Sequence, residues 1–184
     1  MPTYIALLRG INIGPRNKIA MAELRELLGS LEHEGVRTHI LSGNVMFTSR
    51  RRSARRLETD LETAIRERFE LDIRVLVRTA DELTRIVKAN PFPKAEAEGS
   101  CFFVLFVDRD LDKKAIDAID PAAFKPEKFA IGDRAIYAWY PRGLSESKLV
   151  GALSDKRLGV TTTTRNWNTV TRLAELAREP DANR

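Results

Sequence analysis

Residues 101–107 read Cys101-Phe102-Phe103-Val104-Leu105-Phe106-Val107, seven consecutive apolar positions. Seven residues is strand length, and unbroken apolar character marks a strand covered on both faces. Just upstream stand Asn90-Pro91-Phe92-Pro93 and the small, charged residues 94–99. Proline lacks an amide donor, and the residue before it avoids helical angles, so a helix must end there. Residues 91–100 therefore read as a linker, and the apolar run opens a second domain.

Downstream of the run, Leu111, Ala115, Ile116 and Ile119 predict a helix that Pro121 ends. Residues 128–131 and 134–140 predict two strands joined by Gly132-Asp133, a two-residue hairpin turn. Residues 145–157 predict one helix with Leu149, Val150 and Leu153 inward, and the β-branched residues 160–164 a fourth strand. A last helix over 166–179 carries Trp167, Val170, Leu173, Leu176 and Ala177.

Upstream of the linker the same order occurs. Residues 3–8 predict a strand; Met21, Leu24, Leu27, Leu28 and Leu31 fall at helical spacing, and Gly35 closes that segment. Residues 36–41 and 45–47 predict a hairpin around Ser42-Gly43-Asn44. Ser53 is a candidate N-cap for a helix carrying Leu57, Leu61, Ile65 and Phe69. A strand over 73–77 and a helix over 81–89 complete the half. Each half thus reads strand, helix, strand, strand, helix, strand. The expectation is an α+β chain of two tandem ferredoxin-like (βαββαβ) subdomains, residues 1–90 and 101–184, each followed by an extra helix.

Composition narrows the chemistry. The 184 residues include one cysteine, Cys101, and two histidines, His33 and His39. That excludes an internal disulfide framework and a thiolate zinc site, so no metal and no cofactor is expected. No stretch approaches the roughly 18–20 apolar residues of a membrane span, and the first residues form no basic leader. A cytoplasmic protein with no membrane partner is the expectation. The net charge is +5, of which residues 1–90 carry +4 (16 Lys+Arg against 12 Asp+Glu). An anionic partner is expected mainly on the first half.

Four segments invite a functional reading. The loop Arg9-Gly10-Ile11-Asn12-Ile13-Gly14-Pro15-Arg16-Asn17-Lys18 leaves a strand and opens into a helix, where free amides and glycines favour anions. It matches neither a Walker A loop nor a dinucleotide fingerprint. Thr161 to Thr169, with Arg165, Asn166, Trp167 and Asn168, has the equivalent place in the second half. There Asn166 suits an N-cap, and Trp167 reads as a buried anchor of the last helix. Ser42-Gly43-Asn44 lacks the pattern of a serine nucleophile and reads as a turn needing positive φ. Arg50, Arg51, Arg52, Arg55 and Arg56 put five arginines in seven residues, a candidate phosphate contact for nucleic acid without interleaved aromatics. His33, between Glu32 and Glu34, is expected to be exposed, and Cys101 to be an inert core thiol.

Tyr4 to Leu8 with Arg9-Gly10-Ile11-Asn12-Ile13-Gly14, then Lys18-Ile19, Met21 to Arg25, Ser42 to Phe47, Asn90 to Pro93, Ser147-Lys148-Leu149 and Thr163 to Thr169 together resemble the bacterial domain-of-unknown-function family DUF 1697. The resemblance runs over nearly the whole chain. It implies two ferredoxin-like α+β subdomains and no activity, substrate or cofactor. The chain departs from the family pattern at Pro15, where a second glycine is expected, and near His39 and Leu41. The Arg50–Arg56 cluster is particular to this protein.

The family-like residues fall on loops at strand ends, where binding residues concentrate. The leading expectation is a site between the subdomains for a small phosphate- or carboxylate-bearing molecule, such as a nucleotide. It comprises Arg9, Asn12, Lys18, Ser42, Asn44, Lys148, Arg165, Asn166 and Asn168. The alternative is an RNA- or DNA-binding module using the arginine cluster. An enzyme using Glu23, His39 or Asp155 comes third, because no general base joins the ligand set.

Overall fold

The structure is a computed structural model that describes residues 1–179. Its first half runs β1 (Thr3–Leu8), α1 (Met21–Ser30), β2 (Glu34–His39), β3 (Asn44–Thr48), α2 (Ala54–Phe69), β4 (Val75–Thr79) and α3 (Ala80–Lys88). The second runs β5 (Phe102–Val107), α4 (Lys113–Asp117), β6 (Lys128–Gly132), β7 (Ala135–Trp139), α5 (Leu149–Ala152), α6 (Asp155–Leu158), β8 (Thr162–Asn166) and α7 (Trp167–Leu176). The chain is α+β with two four-stranded antiparallel sheets, ordered β2-β3-β1-β4 and β6-β7-β5-β8.

Two compact units divide the chain: residues 1–84 with those from Leu173 onward, and residues 85–172. The division falls inside α3 and α7. In the first unit the helix-facing side of the sheet carries Tyr4, Ala6, Leu8, Val45, Phe47, Val75 and Val77, packed on Leu24, Leu28, Leu57, Leu61 and Ile65. The alternate residues Ile5, Leu7, Met46 and Leu76 are buried as well. A strand with both faces covered is continuously apolar, which is why β1 and β4 show little alternation. Ser53 caps α2 as expected, its side chain accepting from the Arg56 amide. The end of α7 belongs to this unit: the Arg37 guanidinium donates to the Leu176 carbonyl (2.8 Å) and lies 3.9 Å from the Glu179 carboxylate.

In the second unit, Leu105, Val107, Ile136 and Ala138 pack on Leu149, Leu153 and Leu158. On the opposite face, Phe102 stacks on Trp167 with centroids 4.7 Å apart, and the Tyr137 hydroxyl donates to the Ile86 carbonyl at 2.7 Å. Trp167 is thus the buried anchor that the sequence predicts. Residues 93–98, in the expected linker, form a 3-10 helix held in this unit: Ala95 is buried, and the Trp139 indole N–H donates to Glu98 at 3.1 Å.

Three expectations are corrected. Residues 145–157 are not one helix but a 3-10 turn (Leu144–Glu146), α5 and α6. Serines break it, because their hydroxyls compete for the backbone: Ser147 accepts from the Val150 amide, and Ser154 donates to the Gly151 carbonyl. The hairpin between β6 and β7 turns through Asp133-Arg134, one residue later than expected; Gly132 still pairs with Ala135, and Arg134 has φ 48°. His33 is buried, not exposed, with its ring 4.6 Å from that of Phe47. Glu32, just before it, has left-handed backbone (φ 62°).

Candidate functional site

In the first unit, the loop after β1 is folded by its own amides. Left-handed φ recurs at Gly10 (67°), Asn12 (55°), Gly14 (62°) and Asn17 (51°). Asn12 braces it: its side-chain NH2 donates to the carbonyls of Ile19 (3.0 Å) and Leu41 (2.8 Å), and its oxygen accepts from the Ile19 amide (3.0 Å). The Ser42-Gly43-Asn44 turn is pinned beside it, with the Leu8 amide donating to the Gly43 carbonyl at 2.8 Å. The Asn44 side chain, fully buried, donates to the His39 carbonyl and to Ser42 Oγ, each at 3.1 Å. Arg9, Asn12, Lys18, Ser42 and Asn44 therefore stand at one end of the first sheet. The two asparagine amides shape the loop, while Arg9, Arg16 and Lys18 are exposed. Helix α1 follows Ala20, which offers no side-chain cap.

The other four expected residues lie in the second unit. Arg165 is buried in β8, donating to Thr163 Oγ1 (3.0 Å) and the Thr164 carbonyl (2.8 Å). Burial pushes its pKa down to about 10. Asn166 caps α7, its side chain accepting from the Thr169 amide at 2.9 Å. Asn168 is exposed and lies over Gly99, where any Cβ would overlap its side-chain oxygen. Lys148 is exposed and lines a cavity of about 270 Å3 with Lys125, Arg142, Glu127 and Glu146.

The arginines at 50, 51, 52, 55 and 56 are all exposed. Arg51 pairs with Asp60, and its carbonyl accepts from the Tyr4 hydroxyl at 3.0 Å. Of the acid–base candidates, Glu23 is exposed and His39 half-buried. Asp155 holds α6 to β8 by accepting from the amide (3.1 Å) and hydroxyl (2.7 Å) of Thr162.

One concavity is absent from the sequence reading. A groove of about 950 Å3 in the second unit is lined by Phe92, Phe129 and Trp139 with Pro121, Pro126, Lys125 and Lys128. A second hollow of about 440 Å3 shares Phe92, Lys128 and Trp139 and adds Lys94 and Glu98. The Lys128 ammonium sits 5.7 Å from the Trp139 ring centroid, within cation–π range. The carboxylates nearby already hold protein donors: Asp120 accepts from the Ala122 amide, Glu127 from the Leu149 amide and Glu98 from the Trp139 indole. In the sequence, Phe92 carries only a helix-breaking role between prolines, and Phe129 and Trp139 read as strand residues. Nothing in their spacing announces that β6, β7 and the Pro-rich segment meet.

A family model described as "protein of unknown function (DUF1697)" matches residues 1–137. The chain belongs to this family. The DUF1697 match takes in Phe92 and Phe129 and stops two residues short of Trp139. The chain is also similar to a solved structure, the conserved bacterial protein SP0830 from Streptococcus pneumoniae. The TM-score is 0.76 and the identity 25%, over 96% of this chain and 99% of that one. No curated protein matches.

Proposed function

We propose that this DUF1697 chain binds a small anionic molecule bearing a planar ring, seated in the groove of the second unit. The observation that carries the reading is the Trp139–Lys128 pair flanked by Phe92 and Phe129. An apolar concavity of several hundred cubic ångströms with a few convergent polar groups is the usual form of a small-molecule site. Aromatic faces supply stacking area for a planar ring. The ammoniums of Lys94, Lys125 and Lys128 are the contacts for an anionic group, and the nearby carboxylates of Asp120, Glu127 and Glu98 are each oriented by a protein N–H. A nucleotide satisfies both requirements.

The test is thermal shift and calorimetry with adenosine 5′-monophosphate and 2-naphthoate, against the uncharged adenosine as control. Both anions should raise the melting temperature, and Trp139→Ala and Lys128→Ala should each abolish the shift. The reading is wrong if neither anion binds, or if both variants bind like the parent.

We also infer ferredoxin-like topology for each unit, supported by the order βαββαβ and the sheet orders β2-β3-β1-β4 and β6-β7-β5-β8. A second anion contact at Arg9, Arg16 and Lys18 is favoured by the uncapped start of α1 and the left-handed loop before it. Arg9→Ala with Lys18→Ala should lower affinity for inorganic pyrophosphate without touching the groove ligand.

A further inference from the structure

Among the described residues, the three most exposed large hydrophobics are Ile13 (72%), Leu41 (69%) and Ile40 (51%). All three stand at one end of the first sheet. Ile13 lies in the loop after β1, and Ile40 and Leu41 lie between β2 and β3. The bond from the Asn12 side chain to the Leu41 carbonyl ties the two loops together. Single exposed aliphatics are ordinary on a protein surface, whereas a group of them on adjoining loops marks an interaction surface. Ile40 adds a cost of its own, because its backbone is left-handed (φ 51°). A β-branched residue is a steric outlier there, where glycine or asparagine sits with less strain. With half of its surface in solvent, packing in the core does not account for it.

The same loops are basic. Residues 9–22 contain Arg9, Arg16 and Lys18 and no Asp or Glu, and residues 40–49 carry no charge. The first acid beyond the loop is Glu23, in α1. Where Arg9 meets the chain entering β4, the acids are paired: Asp72 with Arg66 at 2.9 Å and Glu62 with Arg74 at 3.3 Å. The polar side chains of the loops are spent within them. Asn12 bonds Ile19 and Leu41, Asn17 donates to the Gly10 carbonyl at 3.2 Å, and Asn44 donates to His39 and Ser42. What faces a partner is aliphatic surface and long cations. Protein partners are held by directional hydrogen bonds and aromatic anchors, and neither loop carries an aromatic residue. An anionic bilayer needs neither: its phosphates attract cations without fixed geometry, and its acyl boundary takes up aliphatic side chains. Loops that satisfy their own amides also lose less on leaving water.

We propose that this end of the first sheet is a docking surface for an anionic lipid bilayer, with Ile13, Ile40 and Leu41 at the acyl boundary and Arg9, Arg16 and Lys18 on the headgroup phosphates. It rests on the anion contact proposed above for those three cations and is independent of the Trp139 groove. The contact is with the bilayer surface; among the described residues no helix is long and apolar enough to cross a membrane. The sequence expectation of no membrane partner is revised to that extent.

The experiment is sedimentation of the full chain with vesicles of phosphatidylglycerol and phosphatidylcholine in equal parts, beside vesicles of phosphatidylcholine alone, and calorimetry with inorganic pyrophosphate. The chain should bind the mixed vesicles, bind phosphatidylcholine about a hundredfold more weakly, and be released by salt. Arg9→Ala, Arg16→Ala and Lys18→Ala should each lower vesicle affinity about fivefold. Ile13→Ser combined with Leu41→Ser keeps every charge, so it should retain pyrophosphate affinity while losing about tenfold or more on vesicles. Ile40→Asn suits the left-handed backbone better, so it should raise the melting temperature and lower vesicle affinity together. The proposal is overturned if the chain does not bind the mixed vesicles, or if the Ile13→Ser, Leu41→Ser variant binds them like the parent. It also falls if the parent elutes as a dimer that this variant splits, since a second copy then covers the patch. Pyrophosphate binding without vesicle binding sinks the docking surface and leaves the anion contact standing.

Discussion

Arg78 and Arg165 occupy the same register position in the two sheets. Arg78 in β4 lies opposite Ile5 of β1, and Arg165 in β8 lies opposite Val104 of β5. Each is the fourth residue of a five-residue strand, and each is buried. Both guanidiniums bond the main chain beside them: Arg78 reaches the Val77 carbonyl and Arg165 the Thr164 carbonyl. Each fills a buried position in its sheet. Arg165→Ala should therefore cost about 2–4 kcal/mol, as for other large-to-small changes at buried sites. Arg165→Met keeps the stem and should cost less, because no charge needs desolvating. Urea unfolding of the two variants measures the difference.

Gly43 (φ 78°) has no room for a side chain. A Cβ there would stand 2.8 Å from Leu8 Cβ and 2.9 Å from Ile11 Cδ1. Gly43→Ala combines left-handed backbone strain with overpacking, and should destabilise by about 2–4 kcal/mol. Thermal and urea unfolding should both show it. A Gly43→Ala protein as stable as the parent would mean that the turn is not the tight one described.

His33 makes stability depend on pH. Its folded-state pKa lies below 6.5 through burial and Arg51, so in the window between the two values the unfolded chain binds more protons. The stabilisation is whole above pH 6.5 and is lost as pH falls through that value toward the folded pKa. The facing charges are Glu32, Glu34, Arg50, Arg51 and Asp60. Urea midpoints from pH 7.5 to 5 should fall less steeply in His33→Phe than in the parent.

Asp155 distinguishes a fastening role from a catalytic one. Its carboxylate takes both the amide and the hydroxyl of Thr162. Asp155→Ala leaves those donors unsatisfied and should cost about 1–3 kcal/mol. Binding of anions in the Trp139 groove should survive, as calorimetry on the folded variant would report.

Element order was legible in the sequence because period and punctuation agree there. The apolar run of β5, the four-spaced residues of α2 and the Asn90–Pro93 break each carry a local physical signal. The broken helix at 145–157 escaped because Ser147 and Ser154 act through hydroxyl bonds that a hydrophobic pattern does not record. His33 escaped because two flanking glutamates suggest a solvated turn, whereas its ring lies against that of Phe47. The loop residues of the first half stand at one end of the sheet because one strand-to-helix loop and one hairpin close it there. Which of their amides are already used depends on partners seven to twenty-nine residues away, as for Asn12. The groove depends on three segments meeting, and no single one announces it.

Helix α7 has a consequence for how the chain is made. Its last turn and the residues just after it belong to the first unit, where Leu176 and Glu179 engage Arg37 of β2. A ribosome delivers those residues only after all of residues 85–172 have been synthesised. The earlier-made unit thus waits for its closing segment until the later one is out, and a nascent chain halted before Leu173 leaves Arg37 without either contact. Translation order ties completion of the first unit to synthesis of the residues from Leu173 onward.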